Sequence, residues 1–204
     1  MWYMNHMVHS AMATSQARDR LLAAAVEQAT RGGITDLSMR ELAAAIGTSH
    51  RMLLYHFGSR EGLMVAISNE VNKSLAATLA DWNDVSADAR KLWQDLTDPA
   101  AWPIERLYFE LYAHALLGRP GTEGFLEASV EPWISATADI LVRSGADPAW
   151  ARAEARLGLA VTRGLLLDLL ATGDQAGVAE AYEHFLGPAL ARLTEAATTR
   201  AAAP

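Results

Sequence analysis

Apolar side chains at helical spacing, interrupted by glycine and hardly ever by a strand pattern, are the feature that most narrows what this chain can fold into. Alternating β-branched runs, the mark of half-buried strands, are nearly missing, and long Ala/Leu segments follow one another instead. From about Ser15 to Arg31, Leu22, Val26 and Ala29 recur on one face, and Gly32-Gly33 stops the helix. Ser38 with Glu41 three residues on is the capping-box pattern for a second helix, which runs through Leu42 and Ile46 to Gly47. Thr48 or Ser49 caps a short third helix ending near His56. Ser59 caps a fourth, with Met64, Ile67, Val71, Leu75, Leu79 and Trp82 along one side. Helical segments continue beyond Asp84, with breaks at Asp98-Pro99 and Trp102-Pro103 and a bend or restart at Pro132. Two long helical stretches, from Pro148 and from Val178, close the chain. The expected fold class is all-α.

Composition limits the functions open to such a chain. An apolar share of 51% and a charged share of 20% suit a globular protein with a core of its own. Cysteine is missing, so no disulfide frame or thiolate metal site is available, which is compatible with the reducing cytoplasm as the expected location. No apolar run reaches the about 18 residues that a membrane span needs, so no membrane partner is expected. Residues 1–13, "MWYMNHMVHSAMA", lack the basic start and continuous apolar centre of a signal peptide and read as a disordered leader. The net charge of −7 argues against indiscriminate nucleic-acid binding. Its distribution is uneven: residues 1–60 carry six Arg against four acids, and the remainder eleven Lys/Arg against twenty acids. A mildly basic head on an acidic body points to a division of roles.

The head explains where its basic and aromatic groups go. Two helices joined by a turn at Gly47 form a helix-turn-helix candidate, with Ala43, Ala44 and Ala45 allowing close packing and Gly47 able to take the positive φ of the turn. The second of the pair would enter a major groove of double-stranded DNA with its first residues, His50, Arg51 and Met52, at the base edges. Arg suits bidentate contact with guanine, and Met suits a thymine methyl. Tyr55 and His56 lie one turn later, where a phosphate backbone would pass. Ser38 brings helix-start N–H groups, and Arg60 adds a cation.

The stretch "SMRELAAAIGTSHRMLLYHFGSREGLMVAI" resembles the DNA-binding segment of the tetracycline-repressor (TetR) family of transcription regulators, from the Ser38 cap through Gly47 and Ser49 to "YHFGSREGL". The resemblance implies a helix-turn-helix head over residues 14–62, a connecting fourth helix, and a ligand-binding and dimerisation body over 63–200. It places Ser38 and Arg40 at the start of the second helix, against phosphate. Thr48, Ser49, His50, Arg51 and Met52 stand at the start of the recognition helix, Tyr55 and His56 at its end, and Arg60 where the family usually has Lys. Many members carry Tyr where this chain has Leu54, so Tyr55 is taken as the aromatic phosphate contact. The Leu-rich "RGLLLDLLATGD" resembles the family's penultimate helix. The function implied is a ligand-responsive repressor that binds a palindromic operator as a homodimer.

Between Trp82 and Trp133 the body concentrates Trp82, Trp93, Trp102, Tyr108, Phe109, Tyr112, Phe125 and Trp133. At helical spacing such a set is plain core or the wall of a mostly apolar pocket. In the second case Glu110, Tyr112 and His114 would orient the polar end of a small apolar or amphipathic ligand, and the resemblance implies that this region holds the inducer. In the long C-terminal helices, Leu157, Ala160, Val161 and Gly164 form one apolar stripe. Val178, Tyr182, Phe185, Ala189 and Leu193 form another, so four helices from two copies can close a dimer. The alternative is a helical-bundle enzyme or metal-binding protein using Glu110 and His114, which are four apart and share a helix face. Helical di-metal sites favour a spacing of three with further Glu ligands, and no H-E-x-x-H, P-loop, G-x-S-x-G or G-x-G-x-x-G motif occurs. No catalytic residue, metal or cofactor is assigned.

Overall fold

The computed structural model describes residues 2–32, 34, 36–120 and 122–201, with side chains over 15–31, 34, 36–73, 79, 81–120 and 122–200. Among them nine helices follow in order: α1 (Trp2–Gly32), α2 (Met39–Ala45), α3 (His50–Phe57), α4 (Arg60–Ala80), α5 (Val85–Thr97), α6 (Trp102–Leu116), α7 (Phe125–Arg143), α8 (Pro148–Thr172) and α9 (Gln175–Ala201). No strand occurs among the described residues, and the protein is all-α. The leader expected over residues 1–13 falls where side chains lie outside the described residues, and the backbone of residues 2–13 continues α1. None of the described helices is long and apolar enough to cross a membrane.

Helix ends follow from local chemistry. Orphan N–H groups at the starts of α2, α3, α5 and α8 are accepted by the side chains of Ser38, Ser49, Asp84 and Asp147. Trp102-Pro103, expected as a break, instead begins α6, because a proline in the first turn gives up only an N–H that has no helical partner there. Pro132 does not restart α7, which runs unbroken from Phe125 to Arg143. The ring sits on the exposed side, where water can satisfy the carbonyl it leaves unpaired.

α1, α2 and α3 close on Leu22, Ala25, Ala29, Ile34, Leu42 and Leu53, and α4 adds Leu63, Met64 and Ile67 to the same core. Ile104, Leu107 and Leu111 of α6 and Phe125 of α7 complete it, so the head core continues into the body. Farther along, Leu79 of α4 packs with Leu92 of α5 and Ile140 of α7. One helix therefore belongs to both parts, and the packing shared with the head runs past residue 62 to Ile67. In the body α8 lies between α7 and α9, burying Ala151, Ala155 and Leu159 on one cluster and Leu166 and Leu169 on another.

Candidate nucleic-acid interface and body cavity

The turn between α2 and α3 is closed by backbone bonds from Gly47 N to the Ala44 carbonyl (3.2 Å) and from Thr48 N to the Ala43 carbonyl (2.8 Å). Gly47 has φ +72°, a conformation that a side chain would strain. Ser38 Oγ accepts from Glu41 N at 3.3 Å, and Glu41 accepts from Ser38 N at 2.8 Å, which completes the capping box. The Ser38 hydrogen bonds hold the Glu41 carboxyl below its ordinary range. The cap thereby consumes two of the N–H groups expected to face phosphate, leaving those of Met39 and Arg40 without an intrahelical acceptor. Of the two candidate caps for α3 the residue is Ser49, whose Oγ accepts from Met52 N at 3.2 Å.

α3 turns Leu53 fully into the core and leaves Arg51, Met52, Leu54 and Tyr55 exposed, Tyr55 to 69%. Arg40, Ser38 and Ser49 are exposed beside them, while His50 and Thr48 are half-buried. His56 stands differently: it is half-buried, its Nε2 is buried without a hydrogen-bond partner, and its ring packs edge-on to Tyr55 at 4.9 Å. That nitrogen does not project toward a phosphate. Arg60 is half-buried too, with Nε donating to the Leu37 carbonyl (3.3 Å) and Nη2 to that of Ile34 (3.4 Å). It braces the α1–α2 connection, a role its sequence position did not reveal. Gly62 is required for a different reason from Gly47, since a Cβ there would collide with the Phe57 carbonyl oxygen where α4 crosses the end of α3.

Two adjoining cavities lie in the body, each of about 720 Å³ with part of that volume open to solvent. Leu96, Trp133, Leu159 and Thr162 line both. One is walled by Trp82 and Trp93 together with Tyr182, Phe185 and Leu193. The other is walled by Tyr108 and Phe109 of α6, Ser129 of α7, Arg163 and Leu166 of α8, and Ser68, Val71 and Asn72 of α4. Of the expected ligand-contact residues, Trp82, Trp93, Tyr108, Phe109 and Trp133 line these cavities. Trp102, Tyr112, His114 and Phe125 do not. Phe125 is fully buried in the core shared with the head. Trp102 Nε1 donates to the Thr97 carbonyl at 3.2 Å, and Tyr112 lies under the Arg163 guanidinium at 5.0 Å. His114 is half-buried in the last turn of α6.

The polar groups of the second cavity were not anticipated. Arg163 Nη2 donates to the Ser129 carbonyl (2.8 Å) and to the Tyr108 hydroxyl, and Asn72 Nδ2 donates to Ser129 Oγ at 3.3 Å. Burial raises the Tyr108 hydroxyl to about 12. Glu105 also lines this cavity, and burial pushes its carboxyl up to about 7. The available signal was the lone charge, Arg163, inside the apolar "LAVTRGLLL"; Glu105, beside Arg106 and near Glu110 in "IERLYFELY", carried no such mark. The Glu110–His114 pair gains no third His, Cys, Asp or Glu among the described residues.

The α9 stripe expected at a dimer interface faces inward instead. Val178, Tyr182 and Leu193 are buried in the chain's own body, and Phe185 and Ala189 are half-buried along the first cavity. Tyr182 stacks on Trp93 with ring centroids 4.3 Å apart and planes at 6°, and its hydroxyl donates to the Ala89 carbonyl at 3.3 Å. Val178 and Tyr182 pack with Ala89 and Trp93 of α5 and Leu166 and Leu169 of α8, and Leu193 packs with α7 and α8, all within one copy. The α8 stripe does face out: Leu157 and Leu167 are 46% and 49% exposed, Ala160 and Gly164 are exposed, and Val161 is half-buried.

Residues 21–67 match the model of the family described as bacterial regulatory proteins, tetR family. The HTH-type transcriptional regulatory protein RaaS of Mycobacterium tuberculosis is 33% identical over 110 residues, 52% of this chain and 43% of RaaS. That match spans less than half the length of this curated relative. Among solved structures, a TetR transcriptional regulator from Legionella pneumophila shares the fold with a TM-score of 0.64, at 22% identity over 83% of this chain and 94% of its own. The multidrug binding protein EbrR, solved with imidazole, superposes with a TM-score of 0.59 at 25% identity, covering 84% of this chain and 93% of its own. The helix-turn-helix geometry, the matched head and the fold of the body agree: residues 21–67 match the DNA-binding segment of the tetR family of bacterial regulatory proteins, and the chain as a whole shares the fold of solved TetR regulators.

Proposed function

We propose that the protein is a homodimeric repressor that binds a near-palindromic DNA operator in the cytoplasm and is released by a small apolar or amphipathic molecule held in the body. The observation that carries this reading is α4. Its Leu63, Met64 and Ile67 lie in the head core, while its Ser68, Val71 and Asn72 line the second cavity. A ligand that shifts the cavity wall therefore shifts the base of the recognition helix and the distance between the two helices of a dimer. At each half-site Arg51 and Met52 read base edges, and Tyr55, Ser49 and Arg40 hold the backbone. Two copies pair through the outer face of α8, where Leu157, Gly164 and Leu167 form an exposed seam of apolar and small residues. EbrR, a multidrug binding protein of similar fold, supports a body built for small molecules.

The test starts from selection of bound duplexes out of a random pool with the full chain. A near-palindrome with half-site centres about one helical turn apart is expected. Operator affinity is then measured with and without each compound found to bind the body. A tenfold loss corresponds to about 1.4 kcal/mol of coupling, and operator must weaken compound binding by the same factor. A recovered site without two-fold symmetry, or a body ligand whose affinity is identical with and without operator, overturns the reading.

A further inference from the structure

We propose that the cavity between α4, α6 and α8 selects amphipathic organic cations, whose ammonium group pairs with the carboxylate of Glu105 while an apolar body lies against Tyr108, Phe109 and Trp133. This rests on the reading of the cavity as a ligand site and names the chemistry it takes. Glu105 presents a carboxyl among walls that are otherwise mostly apolar. No hydrogen bond or ion pair satisfies it among the described residues, burial alone sets its acidity, and Tyr108 is its electrostatic neighbour. A buried carboxylate without a partner destabilises the chain that carries it, and a ligand cation removes that penalty by supplying the partner. Across the cavity, Ser68 of α4 is 3% exposed, and its Oγ is buried with no hydrogen-bond partner. A hydroxyl can accept from the same ammonium, so two unsatisfied groups on facing helices await one donor.

Arg163 lines the same cavity and would favour an anion if its charge were open. It is held instead by the Ser129 carbonyl and the Tyr108 hydroxyl, with the Tyr108 and Tyr112 rings 5.4 and 5.0 Å from its centre. Neutral acceptors and ring faces disperse that charge. The ring faces of the remaining wall attract cations as well, and the acidic balance of residues 61–204 draws them to the body. Facing Glu105 across the cavity, α4 presents Ser68 and Asn72, α5 Leu96, and α7 Ser129 and Trp133, none of them titratable. Tyr108 of α6, pushed up to about 12 by burial, keeps its proton near neutrality, so Glu105 is the group whose ionisation ligand binding reads.

The experiment is calorimetric titration of the full chain with three probes of one shape: naphthylmethylammonium, neutral naphthylmethanol and anionic naphthoate. The ammonium is expected to bind at least about tenfold tighter than the alcohol, and naphthoate weakest. Ammonium affinity should fall about tenfold from about pH 8 to about pH 6, as protonation of Glu105 removes its charge. Glu105→Gln should abolish both the preference and the pH dependence, with an unchanged circular dichroism spectrum showing that the variant is folded. The wild-type charge series and pH profile stand alone if the variant does not fold. Naphthoate binding as tightly as the ammonium, a preference that survives Glu105→Gln, or no binding by any of the three overturns the proposal. Ammonium binding that leaves operator affinity unchanged instead overturns the regulatory reading and leaves the ligand class standing.

Discussion

Replacing Glu105 by Gln should make the protein more stable at alkaline pH and leave its stability nearly unchanged in acid. Gln keeps the size and hydrogen-bonding capacity of Glu but cannot ionise. In the folded chain burial raises the Glu105 carboxyl from an ordinary 4.5 to about 7. Below the lower value both folded and unfolded forms hold the proton, and the residue adds no pH dependence. Between the two values the folded form holds a proton that the unfolded form has released, so wild-type stability falls as pH rises. Above about 7 both have lost it, and the loss is complete. At about 1.36 kcal/mol for each pH unit across that window, the wild type gives up at most about 3 kcal/mol, less where water reaches the carboxyl. For a chain of this size that is a Tm difference of roughly 6–12 °C between variant and wild type, growing in between about pH 4.5 and pH 8. Thermal unfolding followed by circular dichroism at one fixed protein concentration measures it, since dimerisation makes Tm depend on concentration. Parallel Tm profiles for the two proteins across that range would refute the placement of an unpaired carboxyl in the cavity.

Arg51→Ala should cost roughly 1–3 kcal/mol on the selected operator and relax preference at one base position in each half-site, with little change on random duplex. Equal loss on both, measured by fluorescence anisotropy at one salt concentration, would reassign Arg51 to the phosphate backbone. The proposed α8 interface predicts opposite outcomes for two residues of the C-terminal helices. Leu167→Glu, on the exposed face of α8, should sediment as a folded monomer, whereas Tyr182→Ala, stacked on Trp93, should stay dimeric and lose about 3–5 kcal/mol of stability. The reverse pattern would restore Tyr182 to the subunit interface.

What the sequence determined by itself is local. The capping box at Ser38 and Glu41, the cap at Ser49, the turn at Gly47 and the face of α3 that carries Arg51 and Tyr55 all depend on residues within a few positions of one another. Hydrogen bonds that close a turn and side chains on one helical face follow directly from residue order, and so did the helical class. What covers each face was decided only by the tertiary structure. The Val178–Tyr182–Leu193 side of α9 reads correctly as a stripe that must be buried, yet Ala89 and Trp93, which pack with Val178 and Tyr182, lie some 90 positions away on α5, and Leu193 is covered by α7 and α8. An apolar stripe is equally well satisfied by its own body or by a second copy, so spacing cannot choose between them. The same holds for charge. Arg60 reads as a projecting cation until the carbonyls of Ile34 and Leu37 are brought to it. Glu105 reads as one more acid on α6, and only the packing of α4, α6 and α8 leaves its carboxyl in an apolar cavity without a partner, because desolvation is a property of all the surrounding atoms and not of the residue.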